Sequence, residues 1–373
     1  MARIDGNLVS VLCVEDTATA LVRVYSPWQM GYVARHFDVV AKFPFINSIG
    51  IRCNRKEVAR LAGMREVECV SAQGKVDLLD DRTAAPSDAE KDGFGAEQYG
   101  GNSNKLAEIF SEKSGLSGAG VGLCVMDTGI NPHSDLSLPH DRIKRFVDLV
   151  DDREFPYDDN GHGTFVAGVA AGNGVLSGRR ISGIAPQAEL VGIKVISLTG
   201  ETGTFKILEG MQWLFDNRAD LGVKVVCMSF GADPLASADP LKLGAEMLAR
   251  SGITVVCAAG NSGIGGLKSP GISSEVITVG AVDANLKIAS FSSSGVYQGV
   301  YRPDVYAPGV KIRGVEAGGT YSTMSGTSVS APYVAGACCL LHERYKRLTP
   351  RDAKRMILSA ARTVNGAKVF TFD

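Results

Sequence analysis

The sequence has no excess of charge of either sign. Its 373 residues include 39 Lys and Arg against 40 Asp and Glu, which gives a net charge of −1 at pH 7. Proteins that bind nucleic acid or anionic membranes through their charge carry a clear basic excess. We therefore expect neither nucleic acid nor a membrane among the partners of this protein.

Long apolar runs are also lacking, because no stretch approaches the roughly 18 residues that span a bilayer. The N-terminus contains Arg3, Asp5, Glu15 and Asp16 and has no long apolar segment followed by a small-residue cleavage site. A secretory signal has both features. The sequence thus predicts a cytoplasmic protein, with export without a leader as the alternative.

Cysteines spaced to bind zinc are missing, since none of the eight cysteines belongs to a C-x-x-C pair. Cys124, Cys227 and Cys257 lie within apolar runs, and Cys338 and Cys339 are adjacent in a helical pattern. Such cysteines usually behave as small buried hydrophobic residues. Free thiols in a reducing compartment are predicted, and disulfides in a secreted protein are the alternative.

Three regions of the chain differ in pattern. Residues 1–73 contain the strand-like segments NLVSVLCV, DVVAKF, INSIGIRC and EVECVS and the helix-like segments SPWQMGYVARHF and NRKEVARLAGM. Their predicted order, β-α-β-β-α-β, is typical of a small α+β domain of the ferredoxin-like type. Residues 74–103 are rich in Gly, Asp, Ala and Ser and are predicted to form an exposed linker.

Residues 104–373 alternate short apolar runs with helical patterns. The apolar runs are VGLCVMD, ELVGIKVI, VKVVCMSFG, GITVVCAAGN and VITVGAVD. Near-continuous apolar strands alternating with helices predict an α/β fold, in which a mostly parallel sheet has helices on both faces. Ligands of such sheets bind beyond the carboxyl ends of the strands. Three runs end there in polar clusters: Asp127 to Gly129, Ser229 to Gly231 and Asn261 to Gly263.

Two candidate catalytic residues are acid–base groups. Asp127 directly follows a buried strand and opens an Asp-Thr-Gly motif, which also occurs in aspartic proteases. Those enzymes need two such carboxylates in one site, so the single copy here would require a dimer. Of the five histidines, His162 has the most informative context, because Gly161 and Gly163 permit close approach of the backbone. His133 lies near Asp127 in the sequence and stays an alternative base.

Ser328 lies where a loop turns into a helix, within the small-residue segment SGTSVSAP. Pro332 is predicted near the first turn of that helix, where a missing N–H costs least. The N-terminus of a helix supplies backbone donors and partial positive charge, which suit a developing anion. Asn261, in CAAGNSG, either forms an ordinary turn or donates its side-chain amide to an oxyanion.

The segments VMDTGINPHSDL, NGHGTFVAG, SFG, AAGNSG and GTSVSAP together resemble the subtilisin-like serine proteases, over about residues 105 to 345. The chain order Asp, His, Ser is also that of subtilisin and differs from the orders in α/β-hydrolases and chymotrypsin. The resemblance implies a catalytic triad of Asp127, His162 and Ser328, with Asn261 as the oxyanion donor. Many relatives have Met-Ala after the serine where this chain has Val-Ser, and neither residue is a reacting group.

The same resemblance implies a cleft for protein or peptide substrates. The segments SFGA and TGETG would pair with an extended substrate, and two small residues would border the pocket for the side chain before the cleaved bond. The substrate-binding residues implied are Ser229, Phe230, Gly231, Gly200, Gly203, Ala259 and Gly260.

Residues 1–73 resemble, more weakly, the inhibitory propeptide of the same family, closest to its intracellular members. This implies a zymogen that cuts itself within residues 74–103, with its own prodomain as a partner. An interaction or oligomerisation module is the alternative for this domain. Relatives often hold structural calcium in the loop after the histidine helix. That loop here, AGNGVLSGRRISG, has two Arg and no carboxylate, so no metal site is assigned there. No cofactor is expected to be required, and structural calcium elsewhere stays an alternative. The alternative to a serine endopeptidase is a non-catalytic peptide-binding protein on the same fold.

Overall fold

The computed structural model describes residues 2–79, 114–235 and 238–372. The first range begins with a small α+β domain of five strands and three helices. Its elements are β1 (Arg3–Ile4), α1 (Gly6–Val14), β2 (Ala18–Val24), α2 (Pro27–Ala34), β3 (Asp38–Phe43), β4 (Ser48–Cys53), α3 (Arg55–Gly63) and β5 (Val67–Ala72). The sheet order is β1-β5-β2-β4-β3. Elements β2 to β5 follow the predicted β-α-β-β-α-β order, and β1 and α1 precede them.

The prediction of a strand at NLVSVLCV is wrong, because this segment is the helix α1. The Asp5 side chain accepts a hydrogen bond from the backbone of Asn7 and caps the helix. Leu8 and Leu12, four residues apart, are buried on one face, whereas Val9 is exposed. The apolar residues fit a helical period as well as an alternating one, and tertiary packing selects the helix. The first strand of the predicted arrangement is instead β2.

The next strand, β6 (Lys75–Leu78), leaves the small domain and joins the large one. It lies between β10 (Glu201–Gly203) and β12 (Phe230–Gly231) and is antiparallel to both. The predicted linker therefore begins with a paired strand. Its remaining part, residues 80 to 103, lies outside the described residues.

The large domain contains the remaining helices and strands of the structure. The helices are α4 (Ser134–Ser137), α5 (His162–Ala171), α6 (Thr204–Asn217), α7 (Pro240–Arg250), α8 (Thr327–Arg344) and α9 (Pro350–Ala360). The other strands are β7 (Gly122–Asp127), β8 (Ile143–Asp148), β9 (Glu189–Lys194), β11 (Val223–Met228), β13 (Thr254–Ala258), β14 (Ile277–Val282), β15 (Gly295–Tyr297), β16 (Val300–Arg302), β17 (Val305–Pro308), β18 (Ile312–Val315), β19 (Tyr321–Met324), β20 (Arg362–Val364) and β21 (Ala367–Val369).

Nine of these strands form one sheet, in the order β20-β21-β17-β14-β13-β11-β7-β9-β8. All neighbouring pairs are parallel except β20 with β21. Successive residues of one strand enter opposite cores: Leu123 and Val125 pack with α5, α8 and α9, whereas Cys124 and Met126 pack with α6 and α7. Both faces are thus covered, as predicted for continuously apolar strands. In the described residues, no helix is long and apolar enough to cross a membrane.

The small domain docks on α6 and α7 of the large domain. The Phe43 and Phe205 rings meet edge to face with centroids 5.5 Å apart, and the Phe45 and Phe215 centroids lie 5.8 Å apart. Both rings of the small domain, Phe43 and Phe45, are buried in the core formed with α6 and α7. The position of β6 follows from this docking, because only two residues separate the end of β5 from the start of β6.

Candidate active site

Asp127 and His162 form a buried pair at the carboxyl edge of the sheet. Asp127 ends β7, and His162 begins α5. The Nδ1 atom of His162 lies 2.7 Å from Oδ1 of Asp127, and the same oxygen accepts the backbone N–H of Thr128 at 2.8 Å. A Cβ atom on Gly163 would lie 3.0 Å from the Asp127 Cβ, so the glycine after the histidine lets the helix approach the aspartate.

Asp158 links the Asp127 turn to the start of α5. Its carboxylate accepts the Thr128 hydroxyl at 2.9 Å, the backbone N–H of Gly161 at 2.8 Å, and the backbone and hydroxyl of Thr164 at 2.8 and 2.7 Å. A buried carboxylate that accepts several hydrogen bonds holds its donors rigidly. The relative placement of Asp127 and His162 depends on this group. No sequence motif had indicated this role for Asp158.

Lys194 supports the same turn from the other side. It ends β9 and is paired in register with Asp127. Its fully buried ammonium donates to the carbonyl oxygens of Thr128 (2.6 Å) and Ile196 (3.1 Å) and pairs with Asp159 at 2.7 Å. The adjacent carboxylates of Asp158 and Asp159 therefore both have partners in the large domain.

Ser328 is the second residue of α8, which is buried along most of its length. The prediction that Pro332 lies near the first turn is wrong, because the helix begins at Thr327 and Pro332 falls inside it. Pro332 has no N–H for the carbonyl of Ser328, four residues earlier. That carbonyl instead accepts the Ser229 hydroxyl at 2.8 Å. Because the proline leaves the Ser328 carbonyl without its helical donor, the Ser229 hydroxyl can link Ser328 to the end of β11.

The helices α5 and α8 pack through their first turns. Phe165, three residues after His162, shares a buried cluster with Val329, which directly follows Ser328. This packing brings the histidine and serine to the same edge of the sheet. The Ser328 hydroxyl is buried and has no hydrogen-bond partner among the described residues.

Asn261 follows β13 and is oriented by Thr327. Its Oδ1 accepts the backbone N–H of Thr327 at 3.0 Å and the Thr327 hydroxyl at 2.9 Å. Its amide nitrogen is therefore directed the other way, and it donates to the carbonyl oxygen of Leu79 at 2.5 Å. The backbone N–H of Ser328 donates to that same oxygen at 3.3 Å. Two donors thus converge on one peptide carbonyl.

Gly326 shows how closely these atoms meet. A Cβ atom at this position would lie 2.7 Å from the Leu79 oxygen, 2.8 Å from the Ser328 Oγ and 3.2 Å from the Asn261 amide nitrogen. The glycine leaves the space in which the Ser328 hydroxyl, the Leu79 carbonyl and the Asn261 amide come together.

The predicted peptide-pairing segments hold the strand β6. The backbone N–H of Leu78 donates to the Gly200 carbonyl at 3.2 Å, and that of Leu79 donates to the Ser229 carbonyl at 3.4 Å. Gly203 is in register with Lys75, and Phe230 is in register with Leu78. The Phe230 side chain itself points into the core of the α6 face, so its backbone is the part available to a peptide.

The other histidines lie away from this site. His133 caps α4, its Nδ1 accepting the backbone N–H of Asp135 at 3.1 Å. His342 contacts the Thr254 hydroxyl through Nε2 at 2.9 Å, and burial lowers the pKa of His342 to about 4. His36 and His140 are exposed. His162 is the histidine that the structure joins to Asp127.

All eight cysteines are free, and only Cys13 is exposed. Burial raises the pKa of Cys53 and of Cys69 to about 11. It raises the pKa of Cys227 to about 12. These thiols are therefore protonated at neutral pH and pack as small apolar side chains.

The loop after α5 is held by protein groups. The buried Asp135 carboxylate accepts the backbone N–H of Leu176 at 2.8 Å and the Tyr321 hydroxyl at 2.6 Å. Within residues 2–79, 114–235 and 238–372, no group of three or more His, Cys, Asp or Glu side chains is arranged to hold a metal ion.

Comparison with known proteins agrees with this geometry. Residues 118–372 match the family model described as the subtilase family. The chain is 39% identical over 282 residues to serine protease AprX of Bacillus subtilis, a match covering 67% of this chain and 63% of that protein. It is 37% identical to subtilisin Savinase of Lederbergia lenta, over 62% of this chain and 79% of that protein.

Among solved structures, a cold-adapted subtilisin-like serine proteinase superposes with a TM-score of 0.59 at 29% identity. The match covers 69% of this chain and 90% of that one. The sequence motifs, the sheet order and these matches lead to one conclusion. This chain belongs to the subtilase family, as the motifs indicated.

Proposed function

We propose that the chain is a serine endopeptidase made as a zymogen, which cleaves its own Leu79–Asp80 bond. One observation carries this proposal: the Leu79 carbonyl oxygen accepts hydrogen bonds from both Asn261 and the Ser328 backbone. Donors placed around the oxygen that becomes negative in the transition state are the main source of catalysis in acyl transfer. The strand β6 is therefore proposed to be the first substrate.

The proposed mechanism assigns one role to each buried group. The Ser328 hydroxyl attacks the Leu79 carbonyl carbon, and His162 takes its proton. Asp127 holds the imidazole through Nδ1 and stabilises its charged form. Collapse of the tetrahedral intermediate breaks the bond to the Asp80 nitrogen, which receives the proton from His162. Water then hydrolyses the acyl-enzyme by the same steps.

The oxyanion of this intermediate would be held by the Asn261 amide and the Ser328 N–H. In enzymes of this type, removal of one such donor lowers turnover by about 10²–10³. Ser229, Gly200 and Gly203 would hold the backbone of protein or peptide substrates in the manner of β6, an example of strand addition. Ala259 and Gly260 would border the pocket for the side chain before the cleaved bond.

The remaining assignments are part of the same proposal. The partners are protein or peptide substrates and the prodomain, without nucleic acid or membrane. No cofactor takes part in the steps above. A cytoplasmic location is supported by the free cysteines, seven of which are buried. Docking of the prodomain keeps the cleft occupied until the bond is cut.

The test compares Ser328→Ala with the parent. We expect the parent to release a fragment of 79 residues, so that the large product begins at Asp80, and the variant to accumulate as the uncut chain. Ser330→Ala is the matched control, because its hydroxyl lies on the same helix but donates to the Ala307 carbonyl at 3.1 Å. A fluorophosphonate should label Ser328 in the parent and in this control.

Several outcomes would contradict the proposal. Trimming of Ser328→Ala at the same bond in a protease-poor host would exclude self-processing. Because the cleavage is intramolecular, its rate should not depend on protein concentration, and a concentration dependence would indicate cleavage in trans. Inhibition by pepstatin instead of fluorophosphonate would favour an aspartic protease. A folded, matured chain that hydrolyses no peptide and takes no label would be a peptide-binding protein.

A further inference from the structure

The pocket that receives the Leu79 side chain has an unexpected residue at its base. Leu79 is 5% exposed, and its Cδ1 would lie 3.1 Å from a Cβ atom placed on Gly231. The same imagined Cβ would lie 2.5 Å from the Cβ and 3.3 Å from the Cγ of Lys268. Leu79 and the stem of Lys268 therefore face the same glycine, and the inference that follows rests on the proposed function.

Backbone hydrogen bonds place Lys268 between the two walls of this pocket. Its N–H donates to the Ala259 carbonyl at 3.0 Å. Its neighbour Ser269 exchanges hydrogen bonds of 2.9 and 3.0 Å with Ala232. A Cβ atom on Gly260 would lie 2.9 Å from the Lys268 Cγ. The lysine stem thus closes the floor between the Gly231 wall and the Gly260 wall.

The charge of Lys268 is balanced only at the surface. Its ammonium pairs with Asp233 at 2.5 Å, and the Lys268 side chain is 22% exposed whereas that of Asp233 is 90% exposed. Exposed ion pairs of this kind contribute little, because water and salt screen both charges. The ammonium can therefore exchange Asp233 for another carboxylate that enters the pocket.

We propose that Lys268 determines the specificity of this pocket for the residue before the cleaved bond. The aliphatic part of the Lys268 side chain makes the pocket shallow, so that a Leu side chain fits, whereas the longer rings of Phe and Tyr do not. The ammonium accepts Glu as a second class of side chain and repels Lys and Arg. The enzyme thus cleaves after leucine and after glutamate.

The test uses peptides that are identical except for Leu, Phe, Glu or Lys before the scissile bond, with kcat/KM as the readout. Lys268→Met keeps the stem and removes the charge, Lys268→Ala removes both, and Asp233→Asn removes the competing carboxylate. Lys287→Met is the matched control, because Lys287 is an exposed lysine elsewhere in the large domain.

Each variant has a distinct expected result. In Lys268→Met, the preference for Glu over Leu falls about tenfold, as expected for loss of one close charge, while Leu itself is retained. In Lys268→Ala, the preference for Phe over Leu rises about tenfold or more, the size of effect that pocket volume usually has. In Asp233→Asn, cleavage after Glu rises relative to Leu, and Lys287→Met matches the parent.

Two results would overturn the inference while leaving the proposed function intact. One is an unchanged set of preferences in both Lys268 variants when the Leu peptide is still cleaved. The other is a parent that cleaves after Lys as well as after Glu. A parent that cleaves none of the peptides would instead contradict the proposed function and this inference together.

Discussion

The inhibitory affinity proposed for residues 1–79 should largely be lost when Phe45 is changed to alanine. The Phe45 ring is buried against α6 and α7, with its centroid 5.8 Å from that of Phe215. A Cβ atom on Gly244 would lie 3.4 Å from its Cζ, so the ring reaches the backbone of α7. The backbone N–H of Phe45 also donates to the Gln212 side chain at 3.1 Å.

The expected loss can be estimated from the kind of contact. Truncating a buried aromatic anchor at an interface costs about 2–4 kcal/mol. At 1.4 kcal/mol per tenfold change, this corresponds to a dissociation constant raised about 30- to 700-fold. Phe45 lies outside the core between the sheet of the small domain and its helices, so the variant should keep its fold.

The assay adds the fragment of residues 1–79 to the mature enzyme and measures the inhibition constant. Trp28→Ala is the control, because Trp28 is also an aromatic residue of the small domain but is 91% exposed. Circular dichroism of both fragments checks that they are folded. Inhibition constants for Phe45→Ala and Trp28→Ala that agree within about twofold would refute the docking described here.

Three further predictions concern the large domain. Asp158→Asn should lower kcat by about 10²-fold with little change in KM, because misplacement of the catalytic pair by about 1 Å costs that much; a change confined to KM would contradict its positioning role. In Ser328→Ala protein, stability should fall as the pH drops from 6.5 towards 4, because unfolded His342 binds a proton that the folded form, with its pKa lowered to about 4, excludes. In urea titrations, the free energy of unfolding of the His342→Gln variant should fall by about 2–3 kcal/mol less than that of its parent between pH 7 and pH 4.5. An unchanged pH dependence would contradict the lowered pKa of His342. Thiol titration should find one reactive cysteine, Cys13, in the native protein and eight after denaturation without reductant, whereas two or more disulfides would contradict a reducing compartment.

Much of the fold could be predicted because its signals are local. The strands of the large sheet are buried on both faces, so their apolar runs stand out in the sequence. The helix α3 begins directly after Asn54, whose side chain caps it together with Glu57. Such capping residues can be recognised in the sequence without tertiary information. Asp127, His162, Asn261 and Ser328 each lie next to small residues that admit close backbone contact.

Other features depend on contacts between distant parts of the chain. The segment Gly6–Val14 has an ambiguous period, and packing of Leu8 and Leu12 makes it a helix. Pro332 is accommodated inside α8 because Ser229, 99 residues away from Ser328, takes the place of the lost donor. Neither result has a local signature in the sequence.

The cleft itself is the clearest case. Nothing in KVDLL distinguishes the docked strand from the Gly- and Asp-rich segment that follows, and only the two flanking strands of the large domain select it. Nothing in the sequence distinguishes Lys268 from an ordinary surface lysine. Its position beside Gly231 and Gly260 arises from hydrogen bonds to Ala259 and, through Ser269, to Ala232. Motifs show which groups can react because the chemistry requires those residue types. Which peptide these groups meet is decided by contacts between residues far apart in the chain, and a single sequence does not show those contacts.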